Sequence, residues 1–576
     1  MKKILNCLKP YKIFILIVII FIAIQALIEL SLPTLMSFII DKGIANNDLN
    51  YIIKIGLIML IIAVIGGFIQ TAITCFSAKI GIGFANDLRL KIFTKIESLS
   101  LQEFSNFSTN SLITRTTNDV SNISKALVMV IRIALMAPIM GIGGVLLALK
   151  QNVSMSKIIL FGIVAVTVLM IIVSNLMKTK FTRLQKLIDK LNLLIREIIT
   201  GTRVIRAFNN EKYQENKFND NNNEITNTNL FINRLGVAIE PMINLIFNYI
   251  TIAILISGVL QINLGKLEVG QLIAFSQYAS LIVTSFIMLS LIFVMSPRAL
   301  TSITRINEIL QLETSIKDKT KTKKMPKTKK WELIFNNVTF NYFNSPLPVL
   351  KDVSFSIKSG EVLAILGSTG SGKSSVVNLI PRLYDIKEGL ITINGINIKD
   401  LKLKELRNII GYVPQKSMLL SGSIKENIKY ADSKITDFNM KKAAKVSLSY
   451  DFIMDRNEQF EDKIVERGSN LSGGQQQRLQ IARAIASNPE IYIFDDSFSA
   501  LDFQTDKEIR KNLKQITKSK IVIIVAQRIG TIKNADKILV LNEGQVVGYG
   551  KHHDLLNNCP IYKEIALSQL SEEELL

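Results

Sequence analysis

Asp495 and Asp496 sit side by side at the end of an apolar run, in IYIFDDSFSALD (491–502). Paired carboxylates at the end of a buried strand suit two tasks: holding a hard divalent cation and polarising a water. A second stretch, GSTGSGKSS (367–375), satisfies G-x-x-x-x-G-K-[ST]. It follows the apolar strand VLAIL and precedes the helix-forming run SSVVNLIPRL. Gly367, Ser368, Thr369, Gly370, Ser371 and Gly372 supply a loop whose backbone N–H groups can close around phosphate oxygens. Lys373 is placed to reach the outer phosphates, and Ser374, followed by Ser375, to offer its hydroxyl to Mg²⁺. The helix that begins there adds a favourable dipole. The expected ligands are therefore the phosphates of a nucleotide and Mg²⁺, a hard cation that a carboxylate such as Asp495 suits.

A third stretch, NLSGGQQQRLQIARAIA (470–486), is also built for phosphate. Ser472 offers a hydroxyl, and Gly473 and Gly474 offer bare backbone amides, between Leu471 and Gln475 and ahead of a helix. One nucleotide needs one such loop. The economical reading is that this second loop serves a nucleotide held by another chain.

The elements that must position these groups occupy only half of the molecule. The chain has 576 residues, is 48% apolar and 20% charged, and carries a net charge of +22. Both properties fit one chain only if they are segregated along it. Residues 13–40, 52–78, 127–149, 158–177, 237–261 and 270–296 are apolar runs. Each is long enough to cross a hydrocarbon core of roughly 30 Å as a helix. After residue 300 no such run recurs. The expected architecture is a membrane all-α domain of six helices fused to an α/β phosphate-loop domain. The expected boundaries are 1–316 for the membrane domain, 317–330 for a linker, and 331–576 for the nucleotide domain. The linker KDKTKTKKMPKTKK holds eight lysines and one acid, too few apolar groups for a core, and reads as a solvated tether.

Basic residues concentrate in the stretch 178–236, whereas the opposite loops hold only Lys42, Lys150, Lys157 and Lys266. That asymmetry predicts that both termini and the nucleotide domain are cytoplasmic, and it makes nucleic acid an unneeded explanation of the charge. The two long excursions, 79–126 and 178–236, read as helices that reverse near LITRTTNDV (112–120) and TGTRVIRAFNNE (200–211). Cys7, Cys75 and Cys559 lie too far apart for a metal motif, and their odd number gives no disulfide framework. Glu29 and Arg132 fall inside spans, where ionisable groups are costly. They are expected to pair with each other or with polar groups of the bundle, a substrate path being the other reading.

The ordered set of motifs resembles an ABC transporter half-subunit of the exporter type, over essentially the whole chain. GSTGSGKSS is similar to Walker A, IYIFDD to Walker B, and LSGGQ (471–475) to the signature. The resemblance implies that Tyr342 stacks on adenine and that Gln415 in VPQKSM is the Q-loop residue, near Mg²⁺. It implies that Ser499, Ala500, Leu501 and Asp502 form the D-loop, that ERG (466–468) is the exporter X-loop, and that LITRTTNDV and TGTRVIRAF are coupling-helix regions. LPTLMSFIIDKGI (32–44) resembles the outer end of the first exporter helix. Such subunits work as dimers, each ATP lying between one chain's Walker motifs and the other chain's LSGGQ.

Two positions depart from the family pattern. A catalytic Glu is replaced by Asp496, shorter by one methylene, and the switch His by Gln527, which can hydrogen-bond but cannot carry a proton. The only histidines, His552 and His553, lie in the tail. Both departures fall on hydrolysis and none on binding. The chain therefore resembles the degenerate-site member of heterodimeric multidrug-type exporters, with a partner that supplies Glu and His. The expected cargo is a small apolar or amphipathic molecule. The competing readings are an ATP-gated membrane sensor without transport and a homodimeric exporter.

Overall fold

The computed structural model describes residues 2–570 apart from 327 and 344, and omits the side chains of residues 2, 290, 291 and 293–297. Two compact units divide the chain, residues 1–97 with 108–312, and residues 98–107 with 313–576.

In the first unit, the principal helices are α1 (Lys12–Phe38), α2 (Leu49–Glu97), α4 (Thr109–Thr114), α5 (Val120–Gln151), α6 (Val153–Ala207), α7 (Glu211–Asn263) and α8 (Val269–Gln311). Among the described residues, six helical stretches are long and apolar enough to cross a membrane: Lys3–Ile44, Leu49–Glu97, Thr109–Gln151, Val153–Ala207, Glu211–Asn263 and Val269–Leu289. At 1.5 Å per residue α6 is about 80 Å long, so most of it lies beyond a ~30 Å core. Buried positions recur at helical spacing, as in Val18, Ile22, Ala26 and Leu30 of α1. Large apolar side chains such as Leu27, Leu60, Phe68 and Phe161 stay exposed, as expected of surfaces that face lipid.

The first reversal does not fall at 112–120. It falls at 98–107, in the second unit, around the short helix α3 (Leu101–Ser105). Ser100 caps α3 in a reciprocal box with Glu103, and the Ser108 side chain accepts from the Ser111 N–H to start α4. LITRTTNDV instead runs as helix into the third span through a π-helical turn at Arg115–Asp119. Its polar groups hold it there. Buried Arg115 pairs with Glu308 at 2.8 Å, and buried Asp119 accepts from the Ser302 hydroxyl at 2.9 Å and lies 3.4 Å from Arg305. The second reversal is Phe208–Asn210, at the end of the expected stretch, with Asn209 in the left-handed region at φ 54°.

In the second unit, an antiparallel sheet of β1 (Glu332–Phe340), β2 (Leu350–Lys358), β4 (Glu388–Ile393) and β5 (Ile396–Asn397) has the order β2-β1-β4-β5. The larger sheet has the order β10-β9-β3-β8-β7-β6, built from β3 (Val362–Gly367), β6 (Ile410–Val413), β7 (Ile491–Asp495), β8 (Ile521–Val525), β9 (Lys537–Asn542) and β10 (Gln545–Gly550). Its neighbours pair in parallel except β9 with β10. The inner strands β3, β7, β8 and β9 are buried on both faces and read as near-continuous apolar runs, whereas edge strand β10 alternates exposed and half-buried residues. Successive residues alternate between two cores: Ile491 and Ile493 go to one, Tyr492 and Phe494 to the other.

The lysine-rich stretch is anchored to its own unit rather than free in solvent. Lys319 pairs with Asp400 at 2.6 Å, and the Met325 N–H donates to Glu405 at 3.3 Å. The Leu403 N–H donates to Asp318 at 2.8 Å.

Candidate nucleotide site

Four adjacent parallel strands end at one edge of the large sheet, and each delivers one part of the site. In open sheets of this kind that edge is where ligands bind. The loop 367–375 leaves β3 and enters α9 (Lys373–Leu379). Gly370 and Gly372 adopt φ of +84° and +98°, the left-handed region that glycine enters without steric cost. At Gly372 a Cβ would also approach Leu350 Cδ2 to 2.7 Å. The loop therefore needs glycine for its own shape. Lys373 Nζ donates to the Gly367 and Ser368 carbonyls, both at 2.7 Å, across the loop. Burial pulls the Lys373 ammonium below its ordinary value, while Asp496 and Asp495 work in the opposite direction.

Asp495 closes β7 and is buried. Its Oδ1 accepts from the Ser374 hydroxyl at 3.1 Å. A hydroxyl and a carboxylate brought together in this way are the donors that Mg²⁺ takes alongside phosphate oxygens, so the residues fit that metal. Burial pushes the Asp495 carboxyl above the ordinary aspartate range. The Ser374 hydrogen bond opposes this, and the Asp496 charge adds to it.

Gln415 follows β6, Asp496 follows β7 and Gln527 follows β8. All three meet at one atom. Asp496 Oδ2 accepts from Gln415 Nε2 at 3.3 Å and from Gln527 Nε2 at 3.1 Å. Asp496 itself has φ 48°, a left-handed conformation that Asp adopts more readily than most residues. The Ser499 hydroxyl donates to the Asp496 carbonyl at 2.9 Å, so the SALD segment is tied to the same turn. Ala500 follows, Leu501 is buried, and Asp502 caps α11 (Phe503–Ile516) by accepting from Thr505 N at 2.9 Å.

Tyr342 lies beside the loop. Its hydroxyl is 3.1 Å from Ser375 Oγ, and its ring packs edge-on against Tyr384 at 5.2 Å between centroids. Leu471 is buried, whereas Ser472 and Gly473 are exposed at the start of α10 (Gly473–Ala486). Ser472 and Gln475 form the capping box of that helix. Among the described residues, no hydrogen bond connects 471–475 with 367–375. A Cβ on Gly473 would meet nothing within 4 Å, and one on Gly474 would meet only ordinary contacts, 3.7 Å to the Ala500 carbonyl. The fold of this chain does not require glycine at either position.

Three participants were not read from the sequence, and only Tyr412 carries a hint of its role. Tyr412, buried so that its phenol is pushed far above its ordinary value, donates to Asn378 at 3.0 Å, and the Asp495 carboxylate adds to that upward shift. Tyr384 packs on Tyr342. Gln569 donates to the Gln527 carbonyl at 2.8 Å and accepts from Ile529 N–H at 2.8 Å, pinning the turn after β8 from the far end of the chain. The hint for Tyr412 is its place three residues before Gln415.

In the membrane unit, Glu29 and Arg132 form no ion pair with each other. Glu29 accepts from Gln25 Nε2 at 3.0 Å, and both residues line one cavity.

The description "ABC transporter transmembrane region" matches residues 15–286, and "ABC transporter" matches residues 350–499. An uncharacterized ABC transporter ATP-binding protein of Mycobacterium tuberculosis, Rv1273c, is 34% identical over 565 residues, 98% of this chain and 97% of that protein. The chain belongs to the ABC transporter family. YfiB of Bacillus subtilis, an uncharacterized ABC transporter ATP-binding protein, is 33% identical over 573 residues, covering 100% and 99% of the two chains. The ATP-dependent lipid A-core flippase of Pseudomonas aeruginosa is 29% identical over 586 residues, 99% of this chain and 96% of that one. The fold is shared with a bacterial Atm1-family ABC exporter solved with ATP bound, at a TM-score of 0.83 and 22% identity, over 97% of this chain and all of that one. This ABC transporter is thus a half-transporter, with a six-helix transmembrane region fused ahead of its ABC ATPase region.

Proposed function

We propose that this half-transporter exports an apolar or amphipathic small molecule as one half of a heterodimer. It would bind ATP with Mg²⁺ at a degenerate site of its own and lend LSGGQ to the partner's hydrolytic site. The functional divisions are 1–316, 317–330 and 331–576, with both termini and the ATPase region cytoplasmic. Lys373 and the 367–375 loop hold the phosphates, Tyr342 stacks on adenine, and Ser374, Gln415 and Asp495 surround the metal.

The single observation behind the degenerate reading is the convergence on Asp496 Oδ2. A general base must lie within hydrogen-bond reach of the proton it takes. Here a side chain one methylene shorter than Glu is held by two amides, from Gln415 and Gln527. A pullback of about one bond length costs on the order of 10²-fold. Gln527 adds no proton or charge to compensate. The signature glycines support the second half of the reading. Gly473 and Gly474 have no job in their own fold, which suits a surface kept bare for a phosphate on another chain.

The purified full-length chain tests this alone. It should bind ATP yet turn it over far below the ~10 s⁻¹ common among enzymes. Asp496→Glu by itself should leave the rate low because Gln527 remains, whereas the Asp496→Glu, Gln527→His double variant should raise it by more than about tenfold. A wild-type chain that already turns over at the ordinary rate would overturn the proposal.

A further inference from the structure

We infer that the cavity of the membrane unit selects an amphiphile with an anionic head, and that Arg132 is the residue that selects it. The inference rests on the export reading and specifies its cargo. The cavity has a volume of about 650 Å³ and is bounded by α1, α2, α5 and α8. That is room for one drug-sized molecule. Its walls are mostly apolar, and Met129 and Met136 give them an unbranched, polarizable surface that adapts to irregular shapes.

The charged lining is uneven. Glu29 already receives a hydrogen bond from Gln25 at 3.0 Å. Arg132, twelve residues along α5 from the buried Val120, has no hydrogen bond or ion pair among the described residues. Lys125, about two helical turns before it on the same face of α5, adds a second cation to the same cavity. Two cations against one hydrogen-bonded carboxylate leave the cavity net positive. A guanidinium within a membrane span is costly unless a counter-charge or dipole meets it. A carboxylate, sulfonate or phosphate head satisfies its planar fork in two places at once, which an ester or an ammonium cannot do. The apolar walls then take the tail.

The test uses the full-length chain in nanodiscs of neutral phosphatidylcholine. Dansyl-labelled undecanoic acid, its methyl ester, and the trimethylammonium and zwitterionic analogues of equal chain length are titrated by fluorescence. The acid should bind at least about tenfold tighter than the other three, the scale of one hydrogen bond to a charged group. Arg132→Gln should erase that preference without weakening the ester, and Arg132→Lys should keep part of it. Equal binding of all four probes by the wild type overturns the inference, whatever the variants do. So does a tighter zwitterion whose advantage is lost in Glu29→Gln. ATP-driven uptake of the acid into vesicles containing the chain and its partner reads export separately. Anion preference without uptake counts against the exporter reading alone, and uptake without preference counts against the cavity assignment alone.

Discussion

At the scale of single residues, Asp495 carries a burden that its chemistry exposes. Burial raises its folded pKa above the ordinary aspartate value. The unfolded chain then releases this proton more readily than the folded one. The folded state is relatively favoured below the ordinary range, and that advantage is lost as pH rises through the raised value. Without Mg²⁺, Asp495→Asn should therefore unfold at a higher temperature than wild type at pH 8, and the gap should close as pH falls to about 4. With Mg²⁺ and ATP the order should reverse, because the carboxylate is then neutralised by the metal. Thermal unfolding of the full chain across pH reads both; a gap independent of pH would contradict the assignment. The glycine loop and the paired carboxylates were legible because their types are rare in combination and flanked by a strand and a helix. The left-handed turn at Asp496 was not, because nothing in the spelling of DD distinguishes an extended residue from one at φ 48°. Nor was Gln569, whose contact spans 42 positions.

At the scale of elements, the spans were readable from apolar length, but one of the two reversals was not. LITRTTNDV looks like a polar turn by composition. Its polar groups are instead consumed by α8, through Arg115 with Glu308 and Asp119 with Ser302 and Arg305. The true reversal was signalled by Ser100 and Ser108, each poised to cap a helix. Asp119→Ala should strip a buried carboxylate from a half-buried Arg305 and destabilise the packing of α5 on α8 by on the order of 3 kcal/mol. Asp119→Asn, which keeps the Ser302 hydrogen bond, should cost less. Thermal unfolding of the detergent-solubilised chain distinguishes them, and an unchanged midpoint in Asp119→Ala would remove the network from the account. The lysine-rich stretch reads as a tether by composition, yet Asp400 and Glu405 hold it, a pairing that only the folded register brings together.

At the scale of the whole molecule, one chain carries a complete phosphate loop and a complete signature, and the proposal is that they serve different nucleotides. Lys373→Ala should weaken ATP binding by this chain while the heterodimer retains most of its ATPase; collapse equal to that of the same change in the partner would show the two sites to be equivalent. The more direct measurement compares the steady-state ATPase of the heterodimer bearing Gly474→Asp with that bearing Asp496→Asn. On this proposal Gly474→Asp places a negative charge where the partner's phosphate docks, at a position where an added Cβ meets only ordinary contacts on its own chain. Donors aimed at phosphate contribute roughly 3–4 kcal/mol to the transition state, so hydrolysis should fall by about 10²-fold or more. If this chain's own site is degenerate as proposed, Asp496→Asn alters that site alone and should change the rate by less than about threefold. The reverse order, with Asp496→Asn abolishing hydrolysis and Gly474→Asp sparing it, would mean that this chain's own Walker site is the working one.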